Sequence, residues 1–204
     1  MDDRDQMFKW MMETNLSLVA QFHNHVNVIL AEKSSEIESV EELKKADKAY
    51  WKQNYENHFP KKLRETAFLL MFGHLEEMLF LLSQSFNPHK TELGKGMGIV
   101  KFKPYIKSLL NEELASSTDY QTIRGAQFVR NSLMHIAGRV SLSKNRSDLE
   151  RLVREFPDSY KVKNDRIIVT VEGLKVFQTS VRGLTNTLLN KSSQQGASKA
   201  GASA

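Results

Sequence analysis

The chain has 204 residues, 40% of them hydrophobic and 26% charged, with four prolines, ten glycines and no cysteine. That length supports one domain with a proper core, and the missing cysteine excludes disulfides, thiolate catalysis and cysteine-ligated zinc. A formal charge of +5 with a pI near 9.3 permits an anionic partner such as RNA without requiring one.

Few breakers and long periodic segments predict an all-α fold, an antiparallel helical bundle, with residues 1–190 as a single domain. The start, Met1-Asp-Asp-Arg-Asp-Gln6, is acidic and polar, without signal-peptide character. No apolar run approaches the roughly 20 residues of a membrane span. The expectation is a cytoplasmic protein with no membrane partner.

Residues 7–32 predict a first helix, because Phe8, Met11, Met12, Val19, Phe22, Val26 and Ile29 recur at steps of three and four. His23 and His25 are two apart, point to different sides of that helix and share no metal. Ser35 followed by Glu38 has the form of a capping box, which predicts a second helix from near Glu36 to about His58. Pro60 predicts a break and then the opening turn of the next helix.

Residues 61–86 are apolar nearly all round, so this helix must be buried on more than one side. Within it, Glu76 and Glu77 need partners. They either pair with an arginine of the 127–139 segment, reach solvent, or orient the arginine or histidine of a site. Residues 87–99 read as a loop in which three glycines alternate with Lys95 and Met97. It lacks the spacing and the terminal Lys-Ser/Thr of a P-loop. It is an ordinary connection or a basic loop that touches phosphates, with Lys90, Lys95, Lys101 and Lys103 nearby.

Pro104 opens a short helix through Leu114, and the capping region Ser116 to Asp119 starts a helix that is expected to reach about Leu142. Ser147 and Glu150 form another capping box, for a helix ending at Phe156 before Pro157. Tyr160 to Thr170 predicts a small β-hairpin turning at Asn164-Asp165. Leu174, Phe177, Val181, Leu184 and Leu188 predict a last helix to about residue 190. The low-complexity run 191–204 predicts a disordered tail.

Chemistry concentrates in Gln127 to Arg139. At about 100° per residue, Ala126, Val129, Leu133, Ile136, Ala137 and Val140 converge on a core side. Arg124, Asn131 and His135 lie nearly opposite, flanked by Phe128 and Arg139, and Arg130 falls nearer the core boundary. Phe128 and Gly138 beside a polar face predict that something packs there, most simply a second copy of the chain. Histidine moves protons near neutral pH. Arginine holds phosphate with a planar fork of donors. An amide such as Asn131 orients either. RNA cleavage by its own 2′-hydroxyl needs such groups and no cofactor. There is no His-Glu-x-x-His and no carboxylate–histidine cluster, so no metal or cofactor is expected.

Arg130-Asn-Ser-Leu-Met-His135 resembles the motif of the HEPN-domain superfamily, in which an arginine and a polar residue precede a histidine by four to six positions. The apolar helix before it, with its glutamates, and the helix after it fit that resemblance over about residues 60–190. The residues before 60 then form an N-terminal helical extension. The resemblance implies a homodimer with a composite RNase site on the two-fold axis, and roles in toxin–antitoxin modules, abortive infection and antiviral defence. An antitoxin or defence-system partner protein is implied with it. It makes Arg130 and His135 catalytic and Asn131 supporting, with Glu76, Glu77, Arg124, Arg139 and Lys95 as candidates for supporting or RNA contacts. Toxins of this family paired with nucleotidyltransferase antitoxins carry a tyrosine two positions after the histidine. Here that position is Ala137, which removes that route of regulation. The alternative is a non-catalytic helical binding or scaffold subunit of a larger complex.

Overall fold

The computed structural model describes residues 3–201, with side chains described through residue 195. Helix α1 (Asp3–Glu36) is followed by α2 (Lys45–Gln53), α3 (Phe59–Ser85), α4 (Lys103–Leu110), the single turn α5 (Glu113–Ser116), α6 (Thr118–Ile136) and α7 (Arg146–Glu155). Strands β1 (Tyr160–Lys163) and β2 (Arg166–Val169) then precede α8 (Val171–Gly201). The chain is mostly helical with one two-stranded antiparallel sheet among the described residues, as the periodicity predicts.

The core forms around α3, which packs on α1, α6 and α8. Its Phe68 and Phe72 rings lie 4.7 and 5.7 Å from the ring of Phe177 on α8. Phe8, Met12 and Leu16 close the core from α1. This arrangement buries one side of α3 fully, but on the opposite side Leu70 and Phe80 stay 50% and 45% exposed, so the expected burial on more than one side is met only in part. By length and composition the helical run Lys45–Ser85 is also apolar enough to cross a membrane, which corrects the expectation that no run approaches that length. Just over half of that apolar window is buried inside the protein itself.

Two expected breaks are absent or displaced. Ser35 does not cap a helix. Its hydroxyl donates back to the carbonyl of Glu32, and α1 runs on to Glu36. A 3-10 turn (Ile37–Ser39) follows, and the next helix starts only at Lys45. Pro60 does not stop the chain either. Residues Asn54–His58 form a π-helical turn in which the Phe59 N–H reaches the carbonyl of Asn54, so α2 and α3 run together as one helix. A wide turn just upstream is one of the standard ways a helix absorbs a proline, whose ring and missing N–H disturb the regular ladder.

The hairpin has the predicted turn. Asn164 and Asp165 adopt φ of 51° and 62°, the left-handed pair that a two-residue connection requires. Its strands pair Tyr160 with Val169 and Lys163 with Arg166. Buried Ile167 and Val169 hold β2 on the bundle. Helix α7 is bounded by Asn145 rather than by a capping box at Ser147, for no side chain caps its N-terminus.

The largest departure is at the C-terminus. Helix α8 continues through the first part of the low-complexity run to Gly201 instead of ending near 190. Composition alone predicts disorder there, but specific contacts hold the first of these residues. Lys191 pairs with Glu113 at 2.8 Å. Ser192 is buried against the Tyr105 hydroxyl at 3.2 Å, and the Ser193 hydroxyl donates to Asp5 at 2.9 Å. Burial pushes the Tyr105 phenol up to about 12, and its hydroxyl donates to the Phe86 carbonyl. Residues 202–204 of the predicted tail lie outside the described residues.

Candidate active site

Helix α6 begins where Ser117 accepts a hydrogen bond from the Tyr120 N–H, and it turns Ile123, Ala126 and Val129 into the core. It stops at Ile136, earlier than the expected Leu142. Ala137 and Gly138 adopt left-handed φ of 50° and 78°, and both of their N–H groups return to the Ser132 carbonyl. The hairpin imposes this end. Gly138 accepts from the Ile167 N–H, Val140 donates to the Asp165 carbonyl, and Arg166 donates to the carbonyl of Ala137. Ala137 is therefore exposed and outside the core, and Gly138 is a turn residue buried against β2 rather than part of an outer packing face.

Two of the three motif side chains meet. The Arg130 guanidinium donates to the Asn131 side-chain oxygen at 3.2 Å and lies 3.7 Å from Glu76 on α3, over the Phe72 ring at 5.8 Å. The pair is half-buried, which shields it less from solvent than a core pair but more than a surface one. The second oxygen of Glu76 is buried and has no hydrogen-bond partner, and neither does the buried hydroxyl of Ser132. Asn131 is fixed from the other side by Gln127, whose amide donates at 2.9 Å.

His135 stands apart. It is exposed, and no hydrogen bond or ion pair engages it among the described residues. The single chain thus fixes Arg130 against α3 and Asn131 against Gln127 and Arg130 of its own helix, and leaves the histidine in solvent one turn further on. Glu77 does not join the group. It lies 3.5 Å from His74, whose other ring nitrogen faces the Met12 carbonyl on α1. Arg124 is exposed and donates to the Gln121 side-chain oxygen at 3.4 Å. Arg139 is exposed and continues the sheet by a bridge to Arg166. Lys95 is exposed on its loop without a side-chain partner.

The residue that sequence reasoning missed is Gln127. It is buried, and its side-chain oxygen accepts the Ile99 N–H at 3.0 Å while its amide holds Asn131. It joins the glycine loop to the motif. Its spacing of four from Asn131 is the available signal, but a glutamine on a helix does not announce its burial. Replacing it by leucine leaves the Ile99 N–H buried and unpaired, a loss of about 1–3 kcal/mol. Denaturant unfolding should show that fall in midpoint, and an unchanged midpoint would mean that the bond contributes nothing.

No family model, curated protein or solved structure matches the chain.

Proposed function

We propose that this chain is a metal-independent endoribonuclease of the HEPN type that works as a dimer. The observation that carries the reading is the split of the motif. Arg130 is oriented by Glu76, Asn131 and Phe72, whereas His135 of the same helix is open to an incoming group. Two α6 helices packed across a two-fold axis bring the arginine of one chain to the histidine of the other.

In the reaction, His135 takes the proton of a ribose 2′-hydroxyl as its oxygen attacks the adjacent phosphorus. The bond from phosphorus to the 5′-oxygen breaks, that oxygen takes a proton, and a 2′,3′-cyclic phosphate remains. Arg130 neutralises the charge that builds on the phosphoryl oxygens. The setting that the motif resemblance implies is toxin–antitoxin or abortive-infection defence in the cytoplasm, with an antitoxin or defence protein as a further partner. A second reading, a non-catalytic binding subunit, draws on the same ion pair, because Glu76 already occupies part of the Arg130 charge.

The test is incubation of the purified full chain with single-stranded RNA, with and without EDTA. Cleavage that persists in EDTA supports the proposal. Cleavage lost in EDTA points to a metal hydrolase, and no cleavage in either arm supports the binding subunit.

A further inference from the structure

Four of the lysines share one stretch of the chain that holds no acid. From Leu93 to Asn111 the chain carries Lys95, Lys101, Lys103 and Lys107 and no carboxylate. Most of the ion pairs lie elsewhere, at the C-terminal end of α1, around α2, at the start of α3 and along α7. Lys103 and Lys107 are one helical turn apart on the outer side of α4, opposite its buried Tyr105, Ile106, Leu109 and Leu110. Both are exposed, and neither has a carboxylate partner among the described residues.

These two lysines line a groove of about 330 Å³ between α4 and α6 together with Gln121, Arg124 and one acid, Glu112, so cations outnumber carboxylates there by three to one. The same two α6 residues begin a second groove, of about 380 Å³, between α6 and α7. Phe128, which is half-buried against the chain's own core and presents only its remaining surface, lines that one with Phe156. Its remaining charges are one cation and two acids, for Arg151 bonds Asp148 at 2.7 Å and approaches Glu155 at 4.0 Å, so Arg124 brings that groove to neutrality. Arg124, Phe128, Asn131 and His135 form one stripe along α6, about 16 Å from first to last at the rise of a helix.

We infer that this face binds single-stranded RNA, with backbone phosphates on Lys103, Lys107 and Arg124 and a base stacked on Phe128, so that the strand is led along α6 to His135. The inference deepens the proposed activity and rests on it for the direction of the strand. Its two ingredients are those of sequence-tolerant recognition of single strands: a cationic groove that follows the backbone and an aromatic ring beside it. A duplex would offer no unstacked base to Phe128, so a single strand fits better.

The experiment uses the full chain carrying His135→Ala, which keeps RNA intact during the measurement. Binding of a fluorescent single-stranded RNA of mixed sequence is followed by anisotropy across a salt series. Combined replacement of Lys103, Lys107 and Arg124 by alanine should weaken binding on the order of tenfold or more and reduce the salt slope by roughly 2, for three lost phosphate contacts. Phe128→Ala should weaken it about tenfold with the slope unchanged. Lys107→Glu alone, a single surface change, should weaken binding in the same direction. The double replacement of Lys161 and Lys163 on β1 by alanine removes two cations away from the grooves and should leave binding as it was.

The inference is overturned if the triple variant binds like its parent, or if the β1 variant loses as much. It is equally overturned if the protein binds phosphatidylserine vesicles and not RNA. RNA that is bound through these residues but never cut by the unsubstituted protein would sink the nuclease reading and leave this one standing.

Discussion

Replacing His135 by alanine is expected to remove RNA cleavage while leaving the fold untouched. The side chain is exposed and engages nothing among the described residues. Its removal should therefore shift stability by no more than about 0.5 kcal/mol. Loss of a proton-transferring group costs about 10²–10⁴-fold in rate, which in a gel assay reads as near-absence of product. Arg130→Ala should be equally inactive but should melt lower, since it strands the partly buried carboxylate of Glu76.

Mixing the two inactive variants is the sharper measurement. If each site joins the arginine of one chain to the histidine of the other, a mixed dimer holds one intact site. Random reassortment then restores about a quarter of the original activity. If both groups act from the same chain, every mixed dimer is dead. No recovery after verified subunit exchange would therefore sink the composite site, and cleavage by the His135 variant alone would sink the assignment of that residue.

The second large effect is on stability. Phe177→Ala should cost about 3–5 kcal/mol, since the ring is fully buried and the rings of Phe68 and Phe72 lean on it. That is a large part of the total stability of an ordinary domain. The variant should also cut RNA more slowly, because Phe72 is both the near-parallel neighbour of Phe177 and the surface under the Arg130 guanidinium. Equilibrium unfolding in urea checks the first part. A midpoint within error of the parent would show that the aromatic cluster is not the centre of the core.

The sequence made legible what depends on local period and turn chemistry. The all-round apolarity of α3, the inward Ala126 and Val129, the outward Asn131 and His135 and the Asn164-Asp165 turn follow from spacing and residue type. What escaped it depends on partners far along the chain. Periodicity carried α6 on to Leu142, but β2 claims the chain at Gly138. Ser35 and Glu38 have the right letters for a cap, yet Glu38 is drawn off to Lys52 at 3.3 Å. A run of small polar residues reads as loose, but Asp5, Tyr105 and Glu113 secure its first members. At the motif, residue types indicated the chemistry. They did not show that Glu76, rather than Glu77, faces Arg130, because neighbouring residues on a helix differ only by a rotation that the bundle decides.

The π turn at Asn54–His58 holds one residue more than a regular turn would. It therefore acts as a phase shifter, setting the angular position of Lys45–Gln53 against α3 by about 100° relative to an uninterrupted helix. Its setting is secured from outside, where the Ser34 hydroxyl donates to Glu56 at 2.9 Å. It is also marked by a run of rings, Trp51 stacked on Tyr55 at 5.9 Å and Tyr55 edge-on to Phe59 at 5.7 Å. Deleting a single residue from this turn would swing Trp51 away from Phe59 and break that run of rings while leaving the register of α3 under Arg130 unchanged. The facing of Lys45–Gln53 is thus set at this turn and its tie to α1, separately from the register of α3 at the other end.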